Sequence, residues 1–271
     1  MLQESSNQES RDLEASITKR LQETIKNESR RFEECYSWLG KAMSPAFFEE
    51  FGRENVMLIV HSLMGFHLQD YFSTIHLKRA AICICLDSPD ADLRILKNYA
   101  FNGIKYYQTF ISKEPFPGTL ENVRIAIILF TGAQDISCEI GFHREEKEKL
   151  KAYCQERNPS LTQDEFSDLF NAVSPRFIRS LSTERLSLAL DLFLRAKTRD
   201  NCQYEVRYNE DWEQTGDPSM QIVLAWRNCP KHNFLYRIAR TIHRHGLTIK
   251  RVNATYIDPY NRQNILIMAL D

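Results

Sequence analysis

The chain has 271 residues, 43% of them apolar and 26% charged, which is ordinary globular usage and enough for one large domain or two modest ones. Its formal net charge of -1 excludes bulk charge as a reason to bind nucleic acid or a membrane surface. The seven cysteines are odd in number, scattered and without a C-x-x-C pair, so they read as reduced thiols rather than as a disulfide framework, zinc site or redox site. The polar, acidic start MLQESSNQESRDLEAS has neither the basic end nor the apolar core of a signal peptide, and no apolar run approaches the roughly 18 residues of a membrane span. A cytoplasmic location is expected.

Residues 1–11 read as disordered. From Leu13 to Leu39, the apolar residues Ile17, Leu21, Ile25, Phe32, Tyr36 and Leu39 recur at spacings of three, four and seven, which predicts one long helix with a narrow stripe. That stripe packs on the body of the protein or makes a coiled-coil contact. Pro45 ends the helix, and Glu54–Phe72 reads as a second, buried one. Ala80–Leu86 (AAICICL) is short and apolar, as a buried strand is.

From there the punctuation repeats. Ala80–Leu86 is followed by a Pro turn (Asp87–Pro89), a helical stretch Asp90–Phe101, Gly103, a strand Lys105–Ile111, a second Pro turn and a strand Val123–Phe130. Met220–Trp226 is likewise followed by Pro230, a helical stretch Asn233–His243, Gly246, a strand Thr248–Ile257, a turn Asp258–Asn261 and a strand Asn264–Leu270. Proline suits a first helical turn because its missing N–H would have no partner there, and glycine suits a helix end because it accepts the left-handed conformation. Two βαββ units are expected, each closing with a hairpin. The last strand runs straight to Asp271 and reads as an unpaired apolar strand at a truncation.

Between the units lies a helical connector. Phe142–Glu156 is heavily charged, Thr162–Glu165 has the form of a capping box with Leu161 and Phe166 as its staple, and Leu186–Arg195 is amphipathic. Cys202–Tyr208 (CQYEVRY) alternates like a half-exposed strand.

No two of the nine glycines are spaced for a dinucleotide-binding or phosphate loop, which needs glycine for close backbone approach to phosphate. There is no H-E-x-x-H and no G-x-S-x-G, and His243 and His245 point to different helix faces, so neither catalytic nor metal-ligating residues are nominated. Charge is uneven, however. From Ser219 onward, eight basic residues (Arg227, Lys231, Arg237, Arg240, Arg244, Lys250, Arg251, Arg262) face two acidic ones (Asp258, Asp271). Arg237, Arg240 and Arg244 share one helix face, opposite Leu235, Ile238, Ala239 and Ile242. This is a solvated face, a contact for an acidic protein surface, or a site for a small anion. Nucleic acid is disfavoured because no aromatics are interleaved as stacking platforms.

A βαββ unit with a ligand-facing turn after its first strand resembles the ACT-like regulatory modules of amino-acid metabolism. The stretches Ser88–Lys97, Cys202–Tyr208, Leu224–Asn228 and Lys231–Arg237 look like the N-terminal region of large NAD-dependent glutamate dehydrogenases. The likeness runs from about residue 45 to the end. It implies an α+β fold of two ACT-like βαββ units joined by a helical connector and preceded by a long N-terminal helix. The expected organisation is a polar N-terminus and helix over 1–44, a first unit over 45–141, the connector over 142–199 and a second unit, truncated at its end, over 200–271. It implies a non-catalytic regulatory or assembly segment of an enzyme that oxidises L-glutamate to 2-oxoglutarate and ammonia, with no cofactor in this chain and NAD in the parent enzyme. Implied partners are the catalytic domain of the same polypeptide, further copies in a homo-oligomer and a small amino-acid effector, with no nucleic acid and no membrane. Arg227, Asn228, Lys231, His232 and Asn233, where a helix N-terminus could receive a carboxylate, are the candidate effector-binding residues. The matching first-unit turn, Asp87–Asp90, carries two carboxylates that would repel an anion, and a structural role is expected there. The alternative is a stand-alone interaction module that uses the N-terminal helix and the basic C-terminal face.

Overall fold

The computed structural model describes residues 23–130, 151–152, 154–156, 159, 162, 164, 177, 181–211, 219–229, 233–257 and 265–271. The stretch 1–11, Ile17, Leu21, most of Phe142–Glu156, the capping box with its staple except Thr162 and Asp164, and the turn Asp258–Asn261 lie outside the described residues.

The fold is mixed α/β, built on one open antiparallel sheet of eight strands. The strands are β1 (Phe72–Leu77), β2 (Ala80–Leu86), β3 (Ile104–Ile111), β4 (Val123–Phe130), β5 (Gln203–Tyr208), β6 (Met220–Arg227), β7 (Arg251–Ile257) and β8 (Ile265–Leu270), in the spatial order β1-β2-β4-β3-β7-β8-β6-β5. That order is a palindrome of two like units. Each contributes a strand pair, a helix and a second strand pair, and each sets its fourth strand between its second and third. The expected βαββ order is present in both, with one further strand in front of each. The units meet at equivalent strands, β3 and β7, paired antiparallel with Tyr106, Tyr107 and Gln108 opposite Asn253, Val252 and Arg251.

In one compact part of the chain, which among the described residues comprises 23–75, Ile84–Asp87 and Phe110–Arg124, an aromatic core gathers behind two helices. Residues 23–42 are helical (α1), but the expected stripe buries only toward its end. Ile25 and Tyr36 are 61% and 53% exposed, while Cys35, Trp38, Leu39 and Ala42 are buried. Trp38 stands edge-on to Phe116 and donates its indole N–H to the Pro115 carbonyl (2.8 Å), so it fixes the helix to the loop before β4. Pro45 does not merely break the chain; as a first-turn residue it opens α2 (Pro45–Met64). α2 buries Phe47 and Phe51, then Val56, Ile59, Val60 and Leu63. The slip in that spacing falls at Gly52, whose φ of 65° and ψ of 169° kink the helix where other residues would be strained. The expected helix to Phe72 therefore begins earlier and ends earlier. Asp70 and Tyr71, both at positive φ, turn the chain into β1, a strand not predicted from the sequence.

In the other compact part of the chain, which contains the helices of both repeats, α3 (Ala91–Asn98), α4 (Thr183–Thr198) and α5 (Phe234–Arg244) pack on the strands. α4 is longer than the amphipathic stretch predicted. The Ser182 hydroxyl caps it by accepting from the Arg185 N–H (3.3 Å), Glu184 sits in its first turn, and Arg195 and Lys197 sit in its last. Its Ala189, Leu190, Leu192, Phe193 and Ala196 pack on Val223 and Ala225 of β6 and on Ile265, Ile267 and Ala269 of β8. Because strand side chains alternate, Trp226 points to the opposite face, and there it meets Phe234 of α5 with ring centroids 5.4 Å apart. α3 lies beside α5.

The expectation of an unpaired last strand is overturned. β8 is bonded along both sides, to β6 from Ile222↔Leu270 to Arg227↔Ile265 and to β7 from Val252↔Leu270 to Ile257↔Ile265. All six of its side chains are buried because both its faces are covered, which is why it reads as a continuous apolar run rather than an alternating one.

Candidate functional site

The turn after β6 carries the predicted effector residues. Arg227, the last residue of β6, shares the side-chain phase of Val223 and Ala225, so it points to the α4 face. There its Nη1 donates to the Lys197 carbonyl (3.4 Å) and lies 3.7 Å from the exposed Asp200 carboxylate. Asn228 and Asn233 hold φ of 57° and 60°, left-handed values that asparagine tolerates better than most residues. Asn233 precedes α5 as its N-cap; its side chain makes no capping bond and the first turn has no acidic residue. Its backbone N–H donates to the Ala100 carbonyl just beyond α3 (2.6 Å). Between them Cys229 is buried, and burial, with Cys202 nearby, pushes its thiol up to about 12. Lys231, His232 and Pro230 lie outside the described residues. The structure thus places Arg227 at the end of α4 and Asn233 at the start of α5, while Trp226 of β6 meets Phe234 of α5.

In the corresponding turn of the first repeat, cations of the chain answer both carboxylates. Asp87 accepts from Nε of the buried Arg124 at 2.8 Å. Asp90, the N-cap of α3, accepts from the Ser88 hydroxyl at 2.8 Å and lies 3.9 Å from Arg94 Nε. The Ser88 hydrogen bond first, and then the charges of Arg94 and of His243 on α5, hold the Asp90 carboxyl below its ordinary range.

A cleft of about 300 Å³ opens on the α4 face, lined among others by Cys154, Glu184, Ser187, Asp191, Glu205 and Arg207. Arg207 bridges two elements, with Nη1 2.8 Å from Glu184 of α4 and Nε 3.2 Å from Glu205 of β5. Those bonds, Glu184 foremost, push the guanidinium further up. The charges of the lining pair with one another, Arg207 with Glu184 and Glu205 and Arg195 with Asp191. Sequence reasoning found α4 and the alternating strand separately, but no local pattern announced that Glu184 and Arg207 meet. Among the described residues no cluster of His, Cys, Asp and Glu is arranged to hold a metal ion, and no helix is long and apolar enough to cross a membrane.

No family model matches the chain, and no curated protein or solved structure matches it. The class is the one the fold itself defines: a mixed α/β protein built on an open antiparallel sheet of eight strands.

Proposed function

We propose that the chain is a non-catalytic regulatory or assembly segment of an NAD-dependent glutamate dehydrogenase, built of two ACT-like units, with the oxidation of L-glutamate carried elsewhere in the parent enzyme. The observation that carries this reading is the duplication: two like units joined through equivalent strands, with α3 and α5 side by side. Paired modules of this kind suit ligand sensing because a small molecule that favours one packing of the pair biases the whole. The sequence stretches behind the resemblance support it by their positions. Ser88–Lys97 covers the turn and helix of the first unit, and Leu224–Asn228 with Asn233–Arg237 covers the same elements of the second.

In this reading the effector is an amino acid received at the turn that carries Arg227, Asn228, Lys231, His232 and Asn233, with its carboxylate at the start of α5 and with Arg227 holding the turn from the α4 side through the Lys197 carbonyl and Asp200. The uncapped start of α5 supports an anion there, since the first N–H groups of a helix have no partner within it. The test is direct. Incubated with L-glutamate and NAD, the chain is expected to form no NADH, and Arg227→Ala is expected to keep its fold while weakening amino-acid binding about tenfold or more. NADH formation would overturn the non-catalytic reading, and unchanged binding in the variant would overturn the site.

A further inference from the structure

β5 ends the sheet among the described strands and pairs on one side, with β6. Its outward edge can be read from one hydrogen bond. Asn209 donates its N–H to the Ser219 carbonyl (3.0 Å), so its backbone groups face β6. Backbone direction alternates along a strand, so Gln203, Glu205 and Arg207 also face β6, and Tyr204, Val206 and Tyr208 present their N–H and C=O groups outward. Side chains alternate as well. Glu205 and Arg207 lie on the α4 face, where Arg207 meets Glu184, and Tyr204, Val206 and Tyr208 lie on the other. Tyr204 and Tyr208 are 67% and 77% exposed. Edge strands are commonly protected by proline, by charged side chains, lysine above all, or by a bulge; this one has no proline and no lysine, its two charges lie on the α4 face, and its six-residue register with β6 is unbroken.

What fits such an edge is written in the strand. Laid antiparallel against itself about Val206, the run Tyr204-Glu205-Val206-Arg207-Tyr208 is its own complement. Tyr204 then faces Tyr208 of the second copy, Glu205 faces Arg207 of the second copy, and Val206 faces its twin. Directly opposed aromatic pairs and opposed charges are the favourable cross-strand combinations. The backbone phase agrees, because an outward-facing Val206 makes the central pair one that exchanges two hydrogen bonds. A twofold contact must be self-complementary, and this run is. We infer that a second copy of this chain docks here, β5 against β5, so that the sheet continues through a twofold axis at Val206. The inference stands on β5 alone and holds whether or not the chain belongs to a dehydrogenase.

Sedimentation velocity of the full chain across a concentration series tests it, and a dimer is expected. Glu205→Lys and Arg207→Glu each place like charges opposite one another, and each alone is expected to weaken the dimer about tenfold or more. Mixed in equal amounts they restore opposite charges at every crossing, and a heterodimer is expected. Glu205→Lys keeps the Arg207–Glu184 bond and carries the test by itself if Arg207→Glu proves unfolded by circular dichroism. Under mild oxidation Val206→Cys is expected to link covalently to its twin. Tyr204→Cys is not, because that residue lies roughly 13 Å along the strand from its own twin. A monomer at every concentration would overturn the inference. So would a dimer that Glu205→Lys leaves intact and that Val206→Cys links no better than Tyr204→Cys does.

Discussion

At the scale of single residues, buried charge is the most consequential feature. The Asp271 carboxylate lies 2.7 Å from Arg185 Nη1 and accepts from Arg251 Nε at 2.8 Å, and Arg185 also donates to the Leu270 carbonyl at 3.3 Å. Asp271 and Arg185 are almost wholly buried, and desolvation lowers the Arg185 pKa. A buried ion pair adds little over an apolar substitute, but losing one partner strands the other. Asp271→Ala is therefore expected to cost about 3–5 kcal/mol in urea unfolding, far more than a surface change. Asp90 behaves differently because it is mostly exposed. Its folded-state pKa is depressed, so it stabilises the fold above the unfolded carboxyl value and loses that contribution as pH falls through the lower folded value. Asp90→Asn is expected to melt below the native chain at neutral pH, with the gap closing in acid; a gap that widened in acid would reverse the sign. Neither effect is legible in the sequence. Asp271 and Arg185 are 86 positions apart and Ser88 and Asp90 only two, yet nothing in either spacing says which carboxylate is buried.

At the scale of elements, the sequence is legible where side chains and backbone agree. β2 and β4 occupy the predicted residues, Ala80–Leu86 and Val123–Phe130, because a continuous apolar run between turn residues leaves little choice. β1 was not predicted: it shares only Phe72 with the expected helix Glu54–Phe72, and its start is set by the positive-φ turn at Asp70 and Tyr71. The β6–α5 turn was legible as a turn, but the direction of Arg227 depends on which face of β6 α4 covers, and that is a tertiary fact. Gly52 marks a similar limit: it interrupts α2 without any proline or turn cluster to announce it. Nothing lies within 4 Å of a Cβ built there, so the cost of a side chain is backbone strain alone. Gly52→Ala is expected to lower stability by about 1–3 kcal/mol through that strain. An unchanged melting temperature would mean that α2 straightens freely.

At the scale of the whole molecule, duplication organises the sheet. Its palindromic strand order was half visible as repeated Pro and Gly punctuation, which located the two βαββ segments but not the strand that precedes each. β5 was legible as a strand within the segment 200–271, but its place at the sheet edge beside β6 was not. The same duplication supports a module that senses rather than reacts, and this claim is open to one direct measurement. Thermal unfolding of the chain should be followed with L-glutamate, L-aspartate, other amino acids and NAD, since a ligand bound only by the native state raises the midpoint by mass action. The account predicts a rise with an amino acid and none with NAD. A rise with NAD and none with any amino acid would contradict it.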